Sequence, residues 1–247
     1  MKKYILTLIL ALASLGLYAQ TNRNKTIINA ALHGWEYEIK AGVNLGGTAP
    51  LPFPEEIRSI DGYNPTLSIT IEGNMTKWLD TKKKWGIITG LRLENKGMRT
   101  KATVKNYNME IIGYDGNRLK GNWTGGVRTK VQNSYITIPV LAAYKLSPRT
   151  TLKLGPYFSY LMDGDFSGHV YEGYLRETNP TGDKINFTNG AIATYDFSGD
   201  LHKFQWGVQA GVDWKAFKHL KVHADLNWGL NDIFNKDFKT VTFDMYA

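Results

Sequence analysis

Apolar and polar residues alternate one for one along much of the chain. Trp35, Tyr37, Ile39, Ala41, Val43 and Leu45 are apolar, with Glu36, Glu38, Lys40, Gly42 and Asn44 between them. A period of two puts the greasy set on one face of a β-strand and the charged or small set on the other. The pattern returns at Leu67, Ile69, Ile71 and Met75, and at Trp85, Ile87, Leu91 and Leu93, where Ile88 and Thr89 interrupt it. Ile136, Ile138, Val140, Ala142 and Tyr144 form a fourth segment, and residues 152–162 a fifth. Phe204, Trp206, Val208, Ala210, Val212 and Trp214 form a sixth; Leu220, Val222, Ala224, Leu226, Trp228 and Leu230 form a seventh. A weaker eighth stretch carries Val241, Phe243 and Met245. Each strong segment is about 10 residues long, the length of a tilted strand that crosses a bilayer. Trp35, Trp85, Tyr144, Phe204, Trp214 and Trp228 sit at segment ends, where rings suit the headgroup boundary. Pro139 lies on the polar side of its segment and predicts a bulge or kink, because proline removes a ladder donor.

The connections alternate too. Residues 80–84, 147–150 and 218–219 are tight turns, whereas about 46–64, 98–127 and 163–202 are long. Short turns at one end and long loops at the other is the arrangement of outer-membrane barrels. The long loops contain alternating stretches of their own, so the strands are expected to continue beyond the membrane as hairpins. A membrane sheet must satisfy all its backbone groups internally, which requires closure. The expectation is an all-β fold: an eight-stranded antiparallel up-and-down transmembrane barrel over residues 35–247, with a final strand that is short or incomplete. Its inward set would be Glu36, Glu38, Lys40, Glu72, Arg92, Glu94, Lys153, Asp213, Lys215, Lys221 and Asp225. Both signs are present, and mutual pairing is the way to hold such charges in a narrow lumen. That predicts a plugged interior without an open diffusion pore.

Ahead of the first segment, Lys2 and Lys3 precede an uncharged run at residues 4–17, and Leu17-Tyr18-Ala19 offers a small residue for cleavage. The run is too short to span a bilayer as a helix and reads as a secretory signal peptide, residues 1–19, followed by a periplasmic tail, residues 20–34. The chain holds no Cys, which excludes disulfides, thiolate metal sites and a lipid-modified N-terminal Cys. The formal charge is +8, which suits nucleic acid or an anionic surface, and the export signal argues against nucleic acid.

Candidate chemistry is sparse. His33 lies in the tail, His169 and His202 in predicted loops, His219 in a turn, and His223 on the polar face beside Asp225. A His223–Asp225 pair could orient a base, but no nucleophile is identifiable, and a lumen hydrogen-bond network accounts for both. Asp163-Gly164-Asp165 with Ser167 lacks the remaining ligands of a calcium loop and reads as the turn opening a long loop. Gly42, Gly73, Gly90, Gly207 and Gly211 fall at strand period and read as relief of crowding inside a small barrel. Lys82-Lys83-Lys84 reads as a solvated turn that could touch anionic headgroups. No catalytic, metal-binding or cofactor-binding residue is assigned, and no cofactor is expected.

Tyr135-Ile136-Thr137-Ile138-Pro139-Val140-Leu141, then Gly155-Pro156-Tyr157, then Gly229-Leu230-Asn231-Asp232-Ile233 resemble the outer-membrane β-barrel family of Bacteroidetes, of PorT-like type. The leader ending Tyr18-Ala19-Gln20 is similar to that phylum's. The resemblance implies an eight-stranded barrel in the outer membrane and little about activity. One departure is the ending Asp244-Met245-Tyr246-Ala247 in place of a strand finishing on an aromatic. The expected role is structural or interaction through long extracellular loops, with outer-membrane lipid and protein partners, no nucleic acid, and a monomeric, non-enzymatic protein. Two alternatives stand beside it: a soluble lipocalin-like periplasmic binder of an apolar ligand, which needs apolar residues inside and polar ones outside, and a lipid-acting outer-membrane enzyme using His223 and Asp225.

Overall fold

The computed structural model describes residues 34–51, 53–113, 116–235 and 244–246, the last three by backbone alone. The leader and tail expected at residues 1–33, and most of the final strand expected from residue 239, lie outside the described residues. The chain divides into two units, Met1–Glu36 and Tyr37–Ala247. Only residues 34–36 of the first are described, and the architecture is that of the second.

Eleven strands form among the described residues: β1 (Trp35–Asn44), β2 (Ala49–Leu51), β3 (Ile57–Pro65), β4 (Ser68–Trp78), β5 (Trp85–Ile112), β6 (Arg118–Lys145), β7 (Thr150–Glu177), β8 (Lys184–Asp196), β9 (Phe204–Lys215), β10 (Lys221–Gly229) and β11 (Asp244–Tyr246). The main sheet runs β1-β4-β5-β6-β7-β9-β10. The expected count of eight is therefore corrected, and the reason is physical. Strands β5, β6 and β7 are 28 residues each, far longer than a bilayer needs, and their outer halves recruit partners of their own. The half of β5 nearer the short turns pairs with β4 (Trp78↔Gly86 to Thr70↔Glu94), and its far half with β3 (Pro65↔Met98 to Ile57↔Val104). Likewise β7 pairs first with β9 and then with β8. Seven of the eight predicted membrane segments coincide with β1, β4, β5, β6, β7, β9 and β10. Of the eighth, β11 is described, and it pairs antiparallel with β2 (Met245↔Pro50). The loops expected at 98–127 and 163–202 are mostly the strand extensions that the alternation foretold.

Polarity inverts along the long strands. On the turn-side half of β5, Trp85, Ile87, Leu91 and Leu93 are exposed while Arg92 and Glu94 are buried. Beyond Lys96 the arrangement reverses: Met98, Val104, Met109 and Ile111 are buried, and Arg99, Lys101, Thr103 and Lys105 are exposed. The same reversal occurs on β6 and β7, where Trp123, Val131, Phe166, Val170 and Leu175 join a buried apolar cluster with Phe187, Ala193 and Tyr195 of β8. On β5 and β6 the inward parity does not change, since the pairs from Glu94↔Tyr135 to Met98↔Val131 keep one register, and the sequence itself passes from charged to apolar on that face; on β7 a bulge contributes. On β7, Leu161 pairs with Tyr135 and Asp163 with Ser134, which leaves Met162 as the extra residue. One inserted residue switches every later side chain to the other face. The Ile112↔Thr194 pair brings β8 back to β5, so the far halves of β5, β6 and β7 wrap an apolar core of their own with β8.

Several expectations fail for local reasons. Pro139 makes no bulge: Thr89↔Val140 and Arg92↔Thr137 keep one register across it, as do Pro139↔Tyr157 and Ala142↔Leu154. Proline costs only its own ladder bond there. Gly155, on β7, accepts the close approach, since a Cβ on it would collide with the Val140 carbonyl. Asp163-Gly164-Asp165 is not a turn; it lies inside β7, where Asp165 accepts a 2.7 Å hydrogen bond from Lys130 Nζ. His169 is likewise in β7. Gly73 is exposed, with nothing near the place of a Cβ, so crowding does not explain it.

Candidate functional site

Strand alternation brings the predicted charged residues together on the buried face of the turn-side half. Lys40 of β1, Glu72 of β4, Arg92 and Glu94 of β5, Lys153 of β7 and Asp213 of β9 are all buried. Arg92 sits at the centre. Its Nη1 lies 3.2 Å from Glu72 Oε2 and donates to Gln209 Oε1 at 3.1 Å, and its Nε lies 3.3 Å from Glu94 Oε2. Asn74 donates to Glu72, and Thr137 Oγ1 donates to Glu94 Oε1 at 2.8 Å. A second node forms on Lys153, whose Nζ lies 2.6 Å from Asp213 Oδ1 and 2.9 Å from Asp225 Oδ1. Lys40 bridges the two nodes at 3.7 Å from both Glu72 and Asp213. Removing a charge from water costs several kcal/mol unless partners compensate it, and here each buried charge has at least one opposite neighbour.

These contacts curl the sheet. β1 and β10 are the ends of the strand order, yet Lys221 Nζ of β10 reaches Glu38 Oε2 of β1 at 3.1 Å. Arg92 of β5 meets Gln209 of β9 in the same way. Glycines make room. A Cβ on Gly211 would strike Asp225 Oδ1 and lie 3.0 Å from Lys153 Cε; one on Gly207 would strike the Trp228 carbonyl. Gly42 stands 3.2 Å from His223 Nε2 by the same measure, and a Cβ on Gly90 would strike the Gly73 carbonyl. Four of the five glycines thus relieve crowding as expected.

Apolar layers bound the network. Towards the short turns, Trp78, Ile88, Leu141 and Ala143 pack together, with Lys145 Nζ 4.4 Å from the Trp78 ring. Ile88 broke the sequence pattern because it faces inward to this floor. On the other side Lys96 Nζ lies over the rings of Tyr135 and Tyr157, at 5.2 and 5.4 Å, and the apolar core of the hairpin half comes next. These layers follow one another along the buried face, from the short turns to the hairpin half.

The structure gathers most of the residues that the sequence placed inward. Lys40, Glu72, Arg92, Glu94, Lys153, Asp213 and Asp225 join the network, and Glu38 pairs with Lys221 at its edge. Lys215 does not; it is exposed at the turn end of β9, where its side chain reaches water. Glu36 belongs to the other unit. Asp225, offered as the partner that would orient His223, is held by Lys153 instead. Sequence reasoning missed the inward apolar set of the hairpin half. Its signal was a change of parity: apolar residues are odd-numbered at Trp85, Ile87, Leu91 and Leu93, and even-numbered at Met98, Ala102 and Val104.

The outer face of the turn-side half carries the opposite chemistry. Ile39 is 87% exposed and Leu226 68%, against 3% for Arg92. Ile69, Ile71, Leu154 and Val222 complete an apolar belt, with Tyr37, Trp85 and Trp214 near one rim and Phe158, Tyr160, Phe204 and Trp228 near the other. Rings at both rims of an aliphatic band match a bilayer's two interfaces. A lipocalin-like solution would bury these residues, so that alternative is not favoured. No described helix is long and apolar enough to cross a membrane.

Comparison with known proteins agrees. No curated protein and no solved structure matches the chain. One family model, described as outer membrane protein beta-barrel domain, matches residues 18–235, and the chain belongs to that outer-membrane β-barrel family.

Proposed function

We propose that this outer-membrane β-barrel protein is of PorT-like type, is exported by a cleavable leader at residues 1–19, and works through its hairpins as a structural or interaction protein. The short turns face the periplasm and the hairpins of β5, β6, β7 and β8 face outward, as in barrels of this architecture. The observation that carries the reading is the inversion of polarity within single strands: a greasy exterior over the membrane-length half, then a polar exterior over a packed apolar core. A segment with its own core holds its surface rigidly enough to present it to partners. The filled buried face supports a plugged barrel rather than a diffusion pore. The engagement of Asp225 by Lys153 supports a non-catalytic role over a lipid-acting enzyme. Outer-membrane lipid is the partner of the belt; proteins are the partners proposed for the hairpins, and the protein acts as a monomer.

The test is a fractionation. The protein should be recovered in the outer-membrane fraction, migrate faster unheated than boiled on a detergent gel, and lose its hairpins to protease added to intact cells. Recovery in the soluble periplasmic fraction would overturn the reading.

A further inference from the structure

We infer that a block of four cations on the outer face of the β5–β6 hairpin, about 15 Å above the apolar belt, binds the phosphate groups of an outer-leaflet glycolipid. The inference rests on the orientation and membrane placement proposed above. Arg99 pairs with Lys130 across the strands, and Lys101 with Arg128, two positions further on and on the same face. Like charges directly opposite one another destabilise a sheet, and here two such pairs are stacked. The block spans ~5 Å across the strands and ~7 Å along them, the scale of one or two phosphate groups.

Nearby carboxylates balance only part of the block. Lys130 is paired with Asp165 at 2.7 Å. Asp61 accepts hydrogen bonds from Ser59 and from Thr103, whose Oγ1 donates at 2.7 Å, and among the described residues it forms no ion pair with the block. Arg128 lies 5.0 Å from the Tyr171 ring, which holds the guanidinium without cancelling its charge. Among the described residues Arg99 and Lys101 make no ion pair, and both are exposed.

Position selects the ligand. The last greasy row of the belt joins Leu93, Ile136 and Tyr160 across β5, β6 and β7. Arg99 is six residues beyond Leu93 on one continuous strand, ~20 Å along it and, at the usual strand tilt, ~15 Å above the acyl boundary. Long Arg and Lys side chains reach back from there. A phospholipid headgroup ends lower, whereas the phosphorylated sugars of a glycolipid extend to that height. Its acyl chains then lie on the belt below, so one molecule covers both surfaces. Guanidinium groups on a sugar phosphate form the charge-assisted, bidentate bonds that the exposed Arg99 lacks within the protein.

The experiment uses the full mature chain in nanodiscs of phosphatidylcholine doped with rough lipopolysaccharide, either intact or treated with phosphatase, and counts retained glycolipid by native mass spectrometry. The intact glycolipid should be retained in preference to the dephosphorylated one. Replacing Arg99→Gln, Lys101→Gln and Arg128→Gln together should weaken that retention by about tenfold or more, given the usual contribution of each basic residue at a charged surface. Removing three charges elsewhere on the hairpins (Arg118→Gln, Lys120→Gln, Lys184→Gln) should leave it intact. Equal loss in this control, absence of phosphate preference, or displacement by inorganic phosphate at low millimolar concentration would each overturn the inference. Heat-modifiable migration, followed in parallel, separates the two failures: a chain that inserts but shows no preference overturns only the glycolipid site, whereas a chain that fails to insert overturns the membrane reading with it.

Discussion

Lys153 stands between Asp213 and Asp225, the first two buried and Asp225 largely so, and its replacement exposes how the network is balanced. Lys153→Met leaves two carboxylates facing each other without their shared cation and should cost about 3–5 kcal/mol of unfolding free energy in lipid vesicles. Replacing all three by apolar residues of similar volume should recover most of that loss, because the penalty belongs to the orphaned charges. A triple variant as unstable as the single one would show that packing, not charge balance, dominates. Asp80 offers a contrasting case in water. Its Oδ1 accepts from the backbone N–H of Lys84 at 2.7 Å and of Trp85 at 2.9 Å, which ties the β4–β5 turn. The bond from Trp85 chiefly holds its carboxyl below the ordinary carboxylate range. A depressed folded pKa contributes stability above the unfolded value, which fades as pH falls through the folded one. Asp80→Ala should therefore lower stability at neutral pH, with the difference from wild type vanishing in strong acid. A pH-independent difference would refute the assignment.

Bulges decide the behaviour of the long strands. Asn106 and Glu172 both adopt left-handed backbone, at φ 56° and 47°, where register shifts break the β5–β6 and β6–β7 ladders. Asn tolerates that region; Glu does not. Glu172→Gly should stabilise the hairpin by about 0.5–1 kcal/mol, the strain relieved less the entropy glycine adds. Denaturant unfolding followed by the fluorescence of nearby Trp123 would measure it, and destabilisation would mean that the Glu172 side chain matters more than its backbone. These bulges also explain what the sequence concealed. The belt segments were legible because alternation holds over one bilayer thickness, with Ile88 and Thr89 the interruption in the third. The hairpin half was legible as strand extensions but not as a core, because Met162 and Glu172 each shift the parity of β7 and spread its apolar residues over both parities. Charged partners within the network were legible as a set, through their shared face, but not as pairs. Which carboxylate Lys153 meets depends on the curl of the sheet, and Arg92 finds Gln209 at a sequence separation of 117 residues.

For the molecule as a whole, the surface obeys two solvents, and a single kind of substitution can tell them apart. Leu226 points away from the buried network near the middle of β10 and is two-thirds exposed. In a water-soluble protein, exchanging such a side chain for arginine changes stability little. On the lipid face of a barrel it costs about 2–4 kcal/mol near the bilayer midplane, because the cation must leave water or drag it in. Thr188 is exposed on β8, on the polar exterior of the hairpin half beside the buried Phe187. Leu226→Arg should therefore be strongly destabilising in vesicles while Thr188→Arg is nearly neutral, although both replace an exposed side chain of one sheet. The pair tests the position of the membrane boundary without reference to any partner. Equal, small effects would mean that both halves face water, and the apolar belt would then need a protein to cover it.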